Sequence, residues 1–148
     1  MSNTIDAGIF RELYEGWTDA ISNKKFDWFE RHLSSDFSAT AHVWPNLRLD
    51  KEQFIELDKQ IVELVADWQT VDVVEVGGVV VTVSTLRIHR EVFKSDTAVE
   101  GSDDSQDDLA NLASGSVVTG KLVTYTGTWL QQGGVWQIKD HRMVHAID

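Results

Sequence analysis

The chain has no cysteine among its 148 residues and only one proline. The absence of cysteine excludes disulfides, thiolate zinc sites and cysteine nucleophiles, and it is compatible with the cytoplasmic location that we expect. No uninterrupted apolar run approaches the roughly 20 residues of a membrane-spanning helix. The N-terminal residues MSNTIDAGIF lack the basic and apolar regions of a signal peptide. We therefore expect no membrane partner.

Basic residues are also scarce. Thirteen Lys and Arg stand against 24 Asp and Glu, which gives a formal net charge of −11 at pH 7. This balance argues against a nucleic-acid partner, because phosphate backbones are bound by clusters of cations. Much of the acidic excess comes from residues 95–116, which hold six Asp or Glu and no basic residue. We interpret this segment as a solvated hairpin extension, with a lid or a calcium loop as alternatives.

Apolar residues make up 42% of the chain and charged residues 25%, as in an ordinary globular core. The length is typical of one domain. We expect a single domain over residues 1–148, with an acidic loop insertion at about 95–116.

The first half of the sequence has helical periodicity. Apolar residues recur every fourth position over residues 5–21, and a shorter helix follows around residues 26–33. Asp50 and Gln53 have the spacing of a capping box and predict the start of a third helix. Its predicted apolar stripe continues as far as Val65 and comprises Phe54, Leu57, Ile61, Leu64 and Val65.

The second half is rich in Val, Thr, Ile and aromatic residues, which favour strands. Strands are predicted at residues 71–76, 79–93, 117–130 and 135–146, with glycine turns at 77–78 and 133–134. A weaker strand at 37–43 is followed by a predicted turn at Trp44-Pro45-Asn46. The fold class is therefore α+β: three N-terminal helices packed on a strongly curved antiparallel sheet that encloses a pocket.

Three motifs support a family resemblance: residues 17–37, His42-Val43-Trp44-Pro45, and the terminal 133–138 with its Gly-x-Trp-x-Ile pattern. With them the chain resembles the nuclear transport factor 2-like superfamily, which includes ketosteroid isomerases, scytalone dehydratases and SnoaL-like polyketide cyclases. The resemblance implies a cone-shaped, cystatin-like α+β barrel with an internal pocket. It covers nearly the whole chain apart from the acidic insertion.

The resemblance also tests particular activities. The catalytic positions of ketosteroid isomerases fall on Trp17, Ala41 and Gly127, none of which transfers a proton, so that route is excluded. The motif of limonene epoxide hydrolases retains its arginine as Arg87, but His89 stands where a carboxylate is needed. Pocket histidines and a tyrosine, as in scytalone-dehydratase-like enzymes, are what this chain supplies.

Strand alternation predicts which side chains reach the pocket. We expect Arg87 and His89 to converge there with Tyr125 and Trp129. His42, Trp44 and Trp17 are expected beside them. The facing of the last strand, with His141 and His145, stays open because Trp136, Ile138 and Met143 cannot share one face without a bulge.

These residues lead to the predicted function, a cofactor-free lyase or isomerase of dehydratase or cyclase type acting on an apolar, oxygenated ring compound. His89 or His42 is the predicted general base, and Arg87 and Tyr125 stabilise oxyanion charge. The predicted ligand-binding residues are Trp17, Trp44, Trp129 and His141. No metal or cofactor is expected.

Two alternatives remain open. The first is a non-catalytic ligand-binding or protein-interaction module of the same fold, with a small apolar or aromatic ligand. The second is a subunit whose sheet docks onto a larger enzyme. In either case the Thr-rich outer face of the sheet predicts a homodimer.

Overall fold

The structure is a computed structural model, and it describes residues 6–94 and 118–148. The predicted acidic insertion at 95–116 lies outside the described residues. No helix in the described part is both long and apolar enough to cross a membrane.

Three helices precede or interrupt the first strands: α1 (Ala7–Ser22), α2 (Asp27–His32) and α3 (Lys51–Lys59). The predicted capping box at the start of α3 is confirmed. The Gln53 backbone N–H donates to the Asp50 carboxylate at 2.9 Å, and the Asp50 N–H donates to Gln53 Oε1 at 3.0 Å. Two of the exposed donors at this helix end are thereby satisfied.

The predicted length of α3 is wrong, because the helix ends at Lys59 and Ile61 begins strand β3 (Ile61–Val76). The pairing register of β3 shifts three times between Ile61 and Thr70. Two of the shifts add a residue to β3, Val62 and Gln69, and each of these bulges interrupts the alternation of its faces. The step from Ile61 to the partly buried Leu64 is therefore three residues instead of two, which has the spacing of a helix.

Six strands form one sheet in the order β2-β1-β6-β5-β4-β3. Besides β3 they are β1 (Leu33–Ala41), β2 (Trp44–Leu49), β4 (Val79–Phe93), β5 (Leu122–Gln132) and β6 (Val135–Ile147). We predicted an antiparallel sheet, but the sheet is mixed, because β1 pairs with β6 in parallel. The overall class, helices on a strongly curved sheet, is confirmed.

The structure contains some of the predicted turns but not all of them. Gly77, Gly78, Gly133 and Gly134 all have positive φ, as the predicted hairpin turns require. The turn predicted at Trp44-Pro45-Asn46 is wrong, since these residues begin β2. This strand is the edge of the sheet, where a residue without a backbone N–H is tolerated.

The facing of β4 is opposite to the prediction. Its even-numbered residues from Val80 to Ile88 are buried, whereas the odd-numbered face of β5 is buried as predicted. The two findings agree because Thr82 pairs with Gly127. His89 forms a bulge, and beyond it the odd-numbered positions, including Phe93, turn inward.

Helix α1 lies against the sheet at a close contact between Tyr14 and Gly127. The Tyr14 hydroxyl is hydrogen-bonded to Thr82 Oγ1 at 2.8 Å, and Trp129 Nε1 donates to both oxygens at 3.2–3.3 Å. A Cβ atom on Gly127 would lie 2.7 Å from the Tyr14 hydroxyl and 2.8 Å from Thr82 Oγ1. Only glycine fits at this position without moving the helix.

Candidate functional site

A cavity of about 160 Å³ lies between the helices and the concave face of the sheet. Every described helix and strand except α2 contributes to its lining. The walls are largely apolar: aliphatic side chains line much of the surface, and the rings of Trp17, Trp44, Phe54, Trp68 and Tyr125 lie among them. The site is therefore formed by residues from many parts of the chain and not by one motif.

His141 occupies one wall of the cavity. Its ring lies between Trp17, at 4.5 Å between centroids, and Tyr125, which stacks on it at 4.7 Å and 23°. Burial lowers the pKa of His141 to about 3, because a charged imidazole would lose its hydration there. The ring is neutral at pH 7, and its Nδ1 has no hydrogen-bond partner in the described protein.

Asp58 is a carboxyl group on the buried side of α3. Its side chain is only 4% exposed, and its Oδ2 has no hydrogen-bond partner among the described residues. Burial, and secondly the negative charge of Glu91, raise the pKa of Asp58 well above its ordinary value. Asp58 therefore favours the protonated form, which can donate a hydrogen bond.

Tyr125 shares this environment. Burial raises the pKa of its hydroxyl, and the carboxyls of Glu91 and Asp58 raise it further when they are ionised. Tyr125 is therefore a neutral donor at any physiological pH.

Unsatisfied polar atoms are concentrated at the cavity. Among the described residues, six buried side-chain nitrogen or oxygen atoms have no hydrogen-bond partner, and five of them belong to residues of the lining. These five are Thr40 Oγ1, Trp44 Nε1, Asp58 Oδ2, Trp68 Nε1 and His141 Nδ1. A buried polar atom without a partner costs about 1–3 kcal/mol. Five side chains of the lining therefore carry a hydrogen-bonding atom that no described residue satisfies.

The charge of the lining has one sign. Its described residues include the carboxyl groups of Asp58 and Glu91 and no Lys or Arg. Within residues 6–94 and 118–148 no group of three His, Asp or Glu side chains could hold a metal ion.

The structure brings four of the predicted site residues together, since Trp17, Trp44, Tyr125 and His141 all line the cavity. Trp129 does not line it. Its ring is fully buried under α1, 5.5 Å from the Tyr14 ring between centroids.

The other three predicted residues lie outside the cavity. Arg87 and His89 are on the outer face of β4, because their strand has the opposite facing. His89 Nε2 lies 3.0 Å from Asp67 Oδ2, and the Arg87 guanidinium donates to the Gly120 carbonyl at 3.3 Å. His42 is exposed in the β1–β2 turn.

Sequence reasoning missed Asp58, Glu91 and the place of Trp68 in the cavity wall. One signal was available: Asp58 follows Phe54 by four positions and so lies on the apolar stripe of α3. An acidic residue on a buried stripe indicates a site more strongly than an acidic residue in a loop. Glu91 could not be placed without knowing the bulge at His89.

The fold matches solved structures at low sequence identity. An NTF2-like protein from Cytophaga hutchinsonii is 12% identical, with a TM-score of 0.69 over 95% of this chain and 98% of that one. A protein with a cystatin-like fold from Caulobacter vibrioides is 14% identical, with a TM-score of 0.66 over 94% and 87%. An NTF2-like protein of unknown function from Pseudomonas putida is 15% identical, with a TM-score of 0.61 over 96% and 87%.

No known family model and no curated protein matches the sequence. The structural likenesses confirm the predicted fold: the chain has the nuclear transport factor 2-like, cystatin-like fold, and here that fold contains a pocket. A fold of this kind does not specify a reaction, so function has to be argued from the cavity.

The raised pKa of Asp58 predicts a pH-dependent cost of folding. Above about pH 4 the unfolded chain has an ionised Asp58, and folding must take up a proton, so stability is lost as the pH rises towards the folded-state pKa. Over that pH range, we expect the free energy of unfolding of Asp58→Asn to rise relative to that of the wild type by up to about 1.4 kcal/mol per pH unit. Urea unfolding between pH 4 and pH 8 measures the difference.

The matched control is Asp36→Asn. Hydrogen bonds from Ser34 and Lys139 lower the pKa of the exposed Asp36, so this carboxyl is ionised in both the folded and the unfolded chain over most of that range. The difference in stability between this variant and the wild type should therefore stay nearly constant as the pH rises. Parallel pH profiles for the wild type and Asp58→Asn would contradict the assignment of a protonated Asp58.

Proposed function

We propose that the protein binds a small, ring-sized organic molecule in the cavity between α1, α3 and the sheet. The observation that carries this proposal is the set of five unpartnered polar atoms on side chains of an otherwise largely apolar wall. Apolar walls with a few convergent polar groups are typical of small-molecule sites. The unpartnered atoms supply the hydrogen bonds that orient a ligand, and the rings supply contact area.

The volume limits the size of the ligand. An apolar cavity of about 150 Å³ admits benzene, and the cavity here is about 160 Å³. A single ring with a short substituent suits it, whereas a fused polycyclic compound would require the walls to move.

Filling the cavity should abolish binding. Ala39 is buried in β1 and lines the cavity, so Ala39→Leu places three further carbon atoms in the ligand space. We expect benzyl alcohol to bind the wild type and to bind Ala39→Leu at least tenfold more weakly, as measured by NMR titration. The control Ala7→Leu adds the same atoms outside the lining and should bind like the wild type. Equal affinity in all three proteins would rule out this cavity as the site.

A second candidate function is a cofactor-free lyase or isomerase acting on a small oxygenated ring compound. The observation that favours it is Asp58, a carboxyl group whose raised pKa keeps it protonated near the negative charge of Glu91. Two carboxyl groups in different protonation states can act as general acid and general base. In this proposal Asp58 donates a proton to a substrate oxygen, Glu91 accepts one from carbon, and the Tyr125 hydroxyl stabilises the oxyanion.

The proposed proton transfer uses carboxyl groups and not histidines, because His89 and His42 lie outside the cavity. His141 lines the cavity, but its pKa of about 3 makes it a weak base at pH 7.

The catalytic candidate is tested with cyclohexanone in D₂O, where proton transfer exchanges the hydrogens next to the carbonyl for deuterium. We expect the wild type to accelerate the exchange and Asp58→Asn to lose roughly 100-fold of that acceleration, as is typical for a general acid. His89→Ala, on the outer face, should keep the wild-type rate. Exchange no faster than with heat-denatured protein would refute the catalytic candidate and would not affect the proposed binding function.

We also propose that two chains associate through the outer face of the sheet. Val81 and Val83 on β4 are 36% and 43% exposed, and Val74 on the neighbouring β3 is 60% exposed. Val81 and Val83 pair with Thr128 and Thr126 of β5, so the patch continues across strands. Apolar side chains on a long sheet suit a two-fold contact between identical faces.

Light scattering at micromolar concentration should therefore give a mass about twice the 16.7 kDa of one chain. Val83→Lys places a charge in the patch and should reduce the mass to that of a monomer while the circular dichroism spectrum stays that of the folded chain. A monomeric wild type would refute the proposal.

A further inference from the structure

The lining combines two features that act on the same kind of ligand. Its described charged groups are carboxyls alone, and its walls present the rings of Trp17, Trp44, Trp68 and Tyr125. A cation near the face of an aromatic ring is attracted to it, and most strongly to tryptophan. Carboxylates attract the same ion, and the attraction grows where water is excluded.

Resting on the proposed binding function, we infer that the ligand of the cavity is a small organic ammonium ion, with its charged nitrogen beside Asp58 and its hydrocarbon part against the aromatic wall. The observation beyond the acidic character is the state of Asp58 itself. Its carboxyl is 4% exposed, and Oδ2 accepts no hydrogen bond from the described protein.

An ammonium group supplies what this carboxyl lacks. An unpaired buried carboxylate is strongly disfavoured, so Asp58 keeps a proton when no cation is near. A ligand with N–H donors and a positive charge satisfies the oxygen and stabilises the ionised form. Binding therefore displaces the proton from Asp58 and replaces it with the ligand cation.

Ligands of other charge match the lining less well. A carboxylate ligand would meet the carboxyl of Asp58, whose Oδ2 has no hydrogen-bond partner among the described residues. A neutral alcohol can form hydrogen bonds with the unpartnered groups, but it does not stabilise an ionised Asp58. Among ligands with the same ring, the cavity should therefore prefer the one that carries a positive charge.

The pH dependence follows from the groups that face Asp58 across the cavity. These are Glu91 on β4, Tyr125 on β5 and His141 on β6. The other described elements of the lining, α1, β1, β2 and β3, contribute no charged side chain. Affinity for an ammonium ion should therefore rise with pH as the proton on Asp58 becomes easier to displace, up to the pH at which the amine itself is deprotonated.

The test uses one ring with three charges: benzylammonium, benzyl alcohol and benzoate, titrated by calorimetry against the full chain at pH 7. We expect benzylammonium to bind at least tenfold more tightly than benzyl alcohol, and benzoate to bind more weakly than either. Asp58→Asn should bring benzylammonium to within threefold of benzyl alcohol. Asp67→Asn, which removes a carboxylate from the outer face, should keep the tenfold preference.

A measurement on the wild type does not depend on whether the variants fold. Between pH 5.5 and pH 8 the affinity for benzylammonium should rise at least fivefold, whereas that for benzyl alcohol should not rise. Repeating the titration in buffers of different ionisation enthalpy should show a proton released on binding of benzylammonium. An unchanged affinity over this pH range would overturn the role of Asp58.

The outcomes separate this inference from the binding function on which it rests. Benzyl alcohol binding as tightly as benzylammonium, with both weakened by Ala39→Leu, would overturn the charge selection and leave the cavity as a ligand site. Failure of all three ring compounds to bind the wild type would overturn the binding function and the inference together.

Discussion

The contact of the Tyr14 hydroxyl with Thr82 above Gly127 sets the distance between α1 and the sheet. The hydrogen bonds from Trp129 to both oxygens satisfy this buried group, so the contact is stable without water. Trp17 lies one turn further along the same helix face, and its ring lies 4.5 Å from that of His141 between centroids. The cavity lies beside the C-terminal half of α1, where Trp17, Thr18 and Ile21 line it.

Desolvation controls the chemistry of the cavity. It is the largest cause of the pKa shifts of Asp58, Tyr125 and His141, and in each case it favours the uncharged form. The pKa of the imidazole falls while those of the carboxyl and the phenol rise. All three groups are therefore shifted towards their uncharged, hydrogen-bonding forms.

Features that depend on neighbouring residues could be predicted from the sequence. The capping box at Asp50 and the glycine turns are local, and the buried face of β5 follows from its alternation. Which face of β4 is buried depends on its register with β5, and this register cannot be read from the sequence of β4 alone. The same limit applied at the end of α3, where a bulge at Val62 gave Ile61 and Leu64 the spacing of a helix. Trp17, Trp44, Tyr125 and His141 were predicted as site residues and line the cavity, whereas Asp58 lies among the apolar residues of α3 and was not predicted.

The parallel pairing of β1 with β6 has a consequence for how the site is made. Strand β6 is inserted between β1 and β5, so residues far apart in the chain become neighbours, such as Ala39 and His141. Contacts of long sequence separation form late, because closing the intervening loop costs entropy before any contact compensates for it. During synthesis, the wall that carries His141 cannot assemble until the last described strand has left the ribosome. A partly synthesised chain that ends before β6 lacks His141 and Met143, and so it lacks one wall of the cavity.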